Sequence, residues 1–188
     1  MQNKTDEQLV QKALDDVNSF GLLIERYEIK LMGYVMRISS FTVPEAEDIL
    51  QEIFLKAWKN LRDFDSDLKF STWIYRIAHN ETISQFRKSR SRGHDKKVSF
   101  DIELFDLSTD ELSISDKLTR KERASIVHEV LEALSVDHRE VLVLKYLEEK
   151  SYDEISDILR KPMGTVATLL SRAKKSFKQI ILKRNLSF

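Results

Sequence analysis

The chain has no cysteine, only 2 prolines and 4 glycines in 188 residues, and no apolar run near the ~18 residues a membrane-crossing helix needs. Lacking cysteine, it has no disulfides, thiolate metal sites or cysteine nucleophile, which suits a reducing cytoplasm. The scarcity of glycine and proline, set against abundant Leu, Lys, Glu, Ile and Arg, predicts helices rather than strands. The polar start MQNKTDEQ is not a signal peptide. A hydrophobic fraction of 41% is enough for a core, in one domain or two small ones.

What is present is charge, unevenly placed. The formal net charge is +0, yet residues 1–60 carry 7 basic and 10 acidic side chains, and residues 98–118 carry 1 and 6. From Ile158 to Phe188 there are 8 basic residues and no acid, and Arg87 to Lys97 holds 6 cations against Asp95 alone. Such blocks make local electrostatic footprints of the kind that meet phosphate.

The hydrophobic periodicity predicts a short helix opened by a Thr5–Gln8 capping box and ending at Leu14, then a longer one from about Asn18 to Ser39. Pro44 fits the first turn of a third helix running to about Leu61, with Ile49 or Leu50, Ile53, Phe54, Ala57 and Leu61 facing inward. After the loop DFDSDLK comes FSTWIYRIAHNETISQFRKSR, residues 70–90, in which Glu81 is the one acid among rings and cations. Ser71 is read as its N-cap. Phosphates attract Lys and Arg at any sequence, and unstacked bases lie against rings or guanidinium groups. The same stripe of Trp73, Ile77 and Ile83 or Phe86 also fits plain core packing.

Residues 91–118 lose the helical period and read as an acidic linker between domains at 1–90 and 119–188. Helices are expected from about Thr119 to Leu134 and from Val136 to Leu147, followed by a Ser151–Glu154 capping box. SYDEISDILRKPMGTVATLLSRAKKSF then reads helix, turn, helix, with Ile155, Ile158 and Leu159 packing against Val166, Leu170, Ala173 and Phe177. A helix-turn-helix sets the early residues of its second helix at base edges and its cations on phosphates. Gly164, Thr168, Ser171, Arg172 and Lys175 fall opposite the buried stripe, and a solvated basic face is the plainer account of them. His79, His94, His128 and His138 have no close metal-ligand spacing, and no glycine forms a phosphate loop. No catalytic residue, metal, cofactor or small-molecule substrate is expected.

AEDILQEIFLKAWKNL, FSTWIYRIAHN and DEISDILRKPMGTVATLLSRAKKSF, in this order, resemble the core-polymerase-binding helix, the promoter-melting helix and the C-terminal helix-turn-helix of extracytoplasmic-function sigma factors of the sigma-70 family. The resemblance implies an all-α chain of two small helical domains with a flexible acidic linker. It would bind core RNA polymerase, direct it to promoters and help open the duplex. Asp48, Gln51, Glu52 and Trp58 would meet a coiled coil of the largest catalytic subunit, and the polymerase flap is a further partner. Asp63, Phe64, Lys69 and Phe70, from the loop that would hold a flipped base, and Arg76, Asn80, Arg87 and Arg90 would contact the minus-10 element. Gly164, Thr165, Thr168, Ser171, Arg172, Lys174 and Lys175 would meet the minus-35 element. An anti-sigma factor is a partner commonly found in this group.

Two departures stand out. Where the family commonly follows GTV with Lys, Ser and Arg, this chain has Ala167, Thr168 and Leu169, and Arg160 occupies the place of a helix-ending glycine. The alternative is a stand-alone helix-turn-helix regulator, which uses the C-terminal evidence and leaves the aromatic-basic helix unexplained.

Overall fold

The structure is a computed structural model that describes the backbone of residues 4–91 and 114–185 and the side chains of 4–89 and 123–185. Every regular element among the described residues is helical. Most of the linker, 92–113, and the Arg90 side chain lie outside the described residues.

The N-terminal half comprises α1 (Asp6–Ala13), α2 (Val17–Ile38), α3 (Val43–Lys59), a 3-10 turn (Leu61–Asp63) and α4 (Phe70–Ser91). Their starts are set by side chains that satisfy free N–H groups. Thr5 with Gln8 and Thr42 with Glu45 form reciprocal capping boxes, and Asp16 accepts from the Asn18 N–H. Pro44 sits in the first turn of α3, where its missing N–H costs no helical bond. Ser71 does not cap α4. It lies inside the first turn, and the Phe70 N–H instead donates to Glu7 Oε1 of α1 at 3.3 Å. Local sequence cannot reveal a cap borrowed from a distant helix.

Leu23, Leu31, Tyr34 and Ile38 of α2 close on Ile53 and Ala57 of α3 and on Ile74 and Ala78 of α4. Each buried leucine or isoleucine contributes about 1.5–3 kcal/mol by leaving water. Trp73 and Tyr75 are core residues too, at 7% and 2% exposure. Glu81, the one acid of α4, is buried and bonded to Lys56 of α3, so it fastens two helices rather than diluting a basic face.

The C-terminal half comprises α5 (Ile114–Glu132), α6 (Val136–Leu142), a π-turn (Val143–Leu147), α7 (Tyr152–Leu159) and α8 (Met163–Arg184). α5 begins earlier than the period places it. The helix expected through Leu147 leaves α geometry at Val143: the Glu148 N–H reaches back five residues to Val143 O, and Lys150 N–H to Leu144 O. Glu149 follows in the left-handed region at φ 53°. Arg139, itself buried, donates to Leu131 O at 2.8 Å and Glu132 O at 2.9 Å, capping the carbonyl end of α5. Ser151 and Glu154 form the expected capping box. Arg160 is left-handed, φ 51° and ψ 44°, as the missing glycine requires.

The two halves touch. α4 packs on α7, and α2 meets α6 and the π-turn.

Candidate polymerase and nucleic-acid interfaces

α3 divides its residues by period. Ala46, Ile49, Leu50, Ile53 and Ala57 are buried, which leaves Asp48, Gln51, Glu52 and Trp58 exposed on the other side. Trp58 rests its ring 5.0 Å from that of Phe20, which fixes its orientation while leaving it 37% exposed. Leu55 lies on the same side at 44% exposure. It was absent from the sequence-derived residues, because a single exposed leucine is ordinary and becomes informative only beside the exposed Trp58.

The loop before α4 exposes Asp63 and Lys69 and half-buries Phe64. Phe70 is at 1% exposure, stacked edge-on against Tyr27 and Phe64, so it underpins the loop from the core and does not present to a base. Along α4, Asn80 and Arg87 are exposed and Arg76 is half-buried. Helical spacing puts Arg76, Asn80 and Arg87 on one side of the helix, away from Ile74, Ala78 and Thr82. Lys69 is engaged by Glu154 of the C-terminal half at 3.2 Å.

His79 lies beside these residues at the junction of the halves, its Nδ1 3.9 Å from Glu140 Oε1 and 3.4 Å from the Tyr34 hydroxyl. Burial, then the charges of Lys161 and Arg87, push the His79 pKa down to about 4. Burial raises the Glu140 carboxyl to about 7, against the opposing charge of Lys161. Both groups are therefore largely neutral between those values. Among the described residues no group of side chains could hold a metal ion, and no helix is long and apolar enough to cross a membrane.

α7 and α8 form the helix-turn-helix. Ile155, Ile158 and Leu159 meet Val166, Leu170 and Ala173 in a buried apolar seam, with Phe177 partly buried against it. Gly164, Thr165, Thr168, Ser171, Arg172, Lys174 and Lys175 are all exposed. The Thr168 hydroxyl donates to Gly164 O at 2.9 Å. Leu169, at one of the positions where a cation is usual, is half-buried against the core. Behind this helix an apolar groove runs between Val127, Leu131, Leu142, Tyr146, Leu147 and Phe177.

A cationic helix in each half, one of them beside an exposed acidic helix, defines a bipartite DNA-reading protein with a surface left for a protein partner. Residues 23–92 match Sigma-70 region 2 and residues 116–177 match Sigma-70, region 4. The chain is similar to the ECF RNA polymerase sigma factor SigW of Bacillus subtilis, with 33% identity over 95% of this chain and 97% of that one. Its fold resembles CnrH, solved in complex with the cytosolic domain of CnrY (TM-score 0.68, 22% identity, 95% of this chain and 97% of that one). It also resembles the sigma factor RpoE of Bartonella quintana, solved with the anti-sigma factor NepR (TM-score 0.65, 24% identity, 86% and 96%). The chain belongs to the sigma-70 family, in its extracytoplasmic-function group. It is a transcription initiation factor that binds core RNA polymerase and promoter DNA. Likeness across both halves leaves the stand-alone regulator without support.

Proposed function

We propose that this sigma factor divides its work among residues 1–90, a linker at 91–118 and residues 119–188. Asp48, Gln51, Glu52 and Trp58, joined by Leu55, dock on a coiled coil of the largest catalytic subunit of polymerase. The apolar groove behind α8 receives the flap. Arg76, Asn80, Arg87 and Arg90, with Asp63, Phe64 and Lys69 of the preceding loop, hold the minus-10 element once its strands part. Phe70 acts only through that loop, as a packing support. The Asn80 amide suits a base edge because it offers both a donor and an acceptor. Gly164, Thr165, Thr168 and Ser171 face base edges in the minus-35 element while Arg172, Lys174 and Lys175 meet phosphates.

The observation that carries this reading is the division of α8 into a buried apolar seam and an exposed, acid-free face. The protein carries out no reaction of its own and acts in the cytoplasm, with an anti-sigma factor as a further partner, the kind of protein with which RpoE was solved. Transcription reconstituted with core polymerase and a matched promoter is the test. Stimulation by the wild-type chain is expected, and Asn80→Ala should lose open-complex formation while still binding core. Unimpaired melting by that variant would remove Asn80 from the minus-10 site.

A further inference from the structure

The helix that carries Arg76, Asn80 and Arg87 starts without a cap of its own. Lys69 stands immediately before Phe70, the first residue of α4, and an ammonium group cannot accept a hydrogen bond from the free N–H groups of a first turn. A cation is also unfavourable at the positive end of a helix of 22 residues. An acceptor side chain at position 69 would cap α4 locally, but it would turn an oxygen toward DNA where a cation is needed to meet phosphate. The cap has to come from elsewhere.

It comes from α1. Glu7 lies in the first turn of that helix, 63 residues away in sequence, and its Oε1 accepts from the Phe70 N–H at 3.3 Å. The preceding acid, Asp6, acts on the same residue from the side. It accepts from the Tyr27 hydroxyl and, at 2.7 Å, from Arg26, and the Tyr27 ring meets that of Phe70 edge-on at 5.4 Å. Two consecutive residues of α1 therefore hold Phe70, one through its backbone and one through its ring. Phe70 in turn carries the loop: the Phe64 ring sits 5.8 Å from that of Phe70 and 5.4 Å from that of Trp73. The first turn of α1 is itself fixed, because the Thr5 N–H donates to Gln8 Oε1 at 3.1 Å and the Gln8 N–H to Thr5 Oγ1 at 3.3 Å, with Leu9, Val10 and Ala13 buried behind it.

We propose, building on the minus-10 reading above, that Glu7 is a positioning residue for the minus-10 site. Through it α1, which holds none of the residues assigned to DNA, sets where Phe64, Lys69 and the first turn of α4 stand when a single strand arrives. Without that acceptor the first turn of α4 frays, and the ring beneath Phe64 loses its fixed place.

Holoenzyme assembled from core polymerase and the full chain, titrated with a single-stranded minus-10 oligonucleotide from a matched promoter, tests this without a melting step. Glu7→Ala removes the acceptor and should bind the oligonucleotide about 2- to 30-fold more weakly, the population equivalent of a lost N-cap. Its uptake by core and its affinity for minus-35 duplex should stay at the wild-type level. Glu7→Gln keeps an oxygen at the same reach and loses the charge. Glu7→Asp keeps the charge in the first turn of α1 and draws the oxygen back by one methylene, out of hydrogen-bond range of Phe70. The expected order of affinity is wild type, then Glu7→Gln, with Glu7→Asp and Glu7→Ala weakest. If Glu7 served only α1, through the negative charge that a first turn favours, Glu7→Asp would match wild type and Glu7→Gln would fall below it. That order, or wild-type binding by Glu7→Ala, overturns the proposal, as do equal losses in core uptake, minus-35 affinity and minus-10 affinity, which mark general destabilisation. The glutamine and aspartate variants decide the matter if Glu7→Ala does not fold. Wild-type holoenzyme that fails to bind the oligonucleotide would instead overturn the minus-10 reading.

Discussion

Replacing Arg160 with glycine should stabilise the protein, although it deletes a cation in a cationic region. Arg160 ends α7 at φ 51° and ψ 44°, and its N–H bonds to Ser156 O, while the Lys161 N–H reaches the same oxygen at 3.1 Å. The geometry is a left-handed helix stop, and a residue with a Cβ pays about 1–2 kcal/mol to adopt it. Glycine removes that strain but makes the unfolded chain more flexible, at a cost of about 0.5–1 kcal/mol. The difference leaves a gain of about 0.5–1 kcal/mol, or roughly 1–3 °C in Tm for a chain of this size. Arg160→Ala is the control, because it loses the same charge and keeps the Cβ. The two variants would be compared by urea unfolding followed by far-ultraviolet circular dichroism. Glycine should exceed alanine by that margin. Equal stability, or a less stable glycine variant, would refute the assignment of strain to this turn.

On α8, Lys174→Ala or Lys175→Ala should weaken DNA binding at every sequence and reduce the slope of log affinity against log salt by about 0.9. Each variant should then lose about 3.5-fold less affinity than wild type between 50 and 200 mM salt. Fluorescence anisotropy on minus-35 duplexes would read this, and a changed base preference with an unchanged slope would contradict the phosphate role. At the junction of the halves, His79 falls from 6.5 to about 4 on folding, so it removes up to about 3 kcal/mol of stability as pH drops through that range. Glu140 rises from 4.5 to about 7 and removes a similar amount, about 3 kcal/mol, as pH climbs through its own range. The opposed slopes should leave these two groups contributing little net pH dependence between about 4.5 and 6.5. Denaturant titrations across pH should show His79→Asn losing stability toward neutrality and Glu140→Gln losing it toward acid. Parallel profiles for the two variants would show that these groups are not shifted in opposite directions.

Much of this was legible along the chain because the signals were local. The boxes at Thr5 and Ser151 and the proline at 44 place helix starts within reach of three residues, and the seam of Ile155, Ile158, Val166 and Leu170 follows from period alone. Arg160 could be read as left-handed because a helix must stop between Leu159 and Pro162 whichever residue is available. The misreadings share a physical cause, which is that the deciding partner is remote in sequence. Ser71 looks like a cap until Glu7 arrives from α1, and Phe70 looks like a loop ring until Tyr27 closes over it. No helical period foretells that Glu148 finds Arg37 of α2, or that Val143 begins a π-turn.

That π-turn carries a consequence for how relatives diverge. A turn closed over five residues holds more chain than the α-turn it interrupts, and each residue added to an α-helix rotates the chain beyond it by about 100°. Deleting one residue from Val143–Leu147 would let the helix run on regularly and swing Glu148 off its partners while Val166 and Leu170 of the recognition helix kept their seam. Within a lineage, gain or loss of the Glu148 contact with Arg37 and Tyr75 is thus a matter of chain length at one turn. A one-residue gap there would separate proteins that keep the Glu148–Arg37 contact from proteins that lack it, with the DNA-reading residues unchanged.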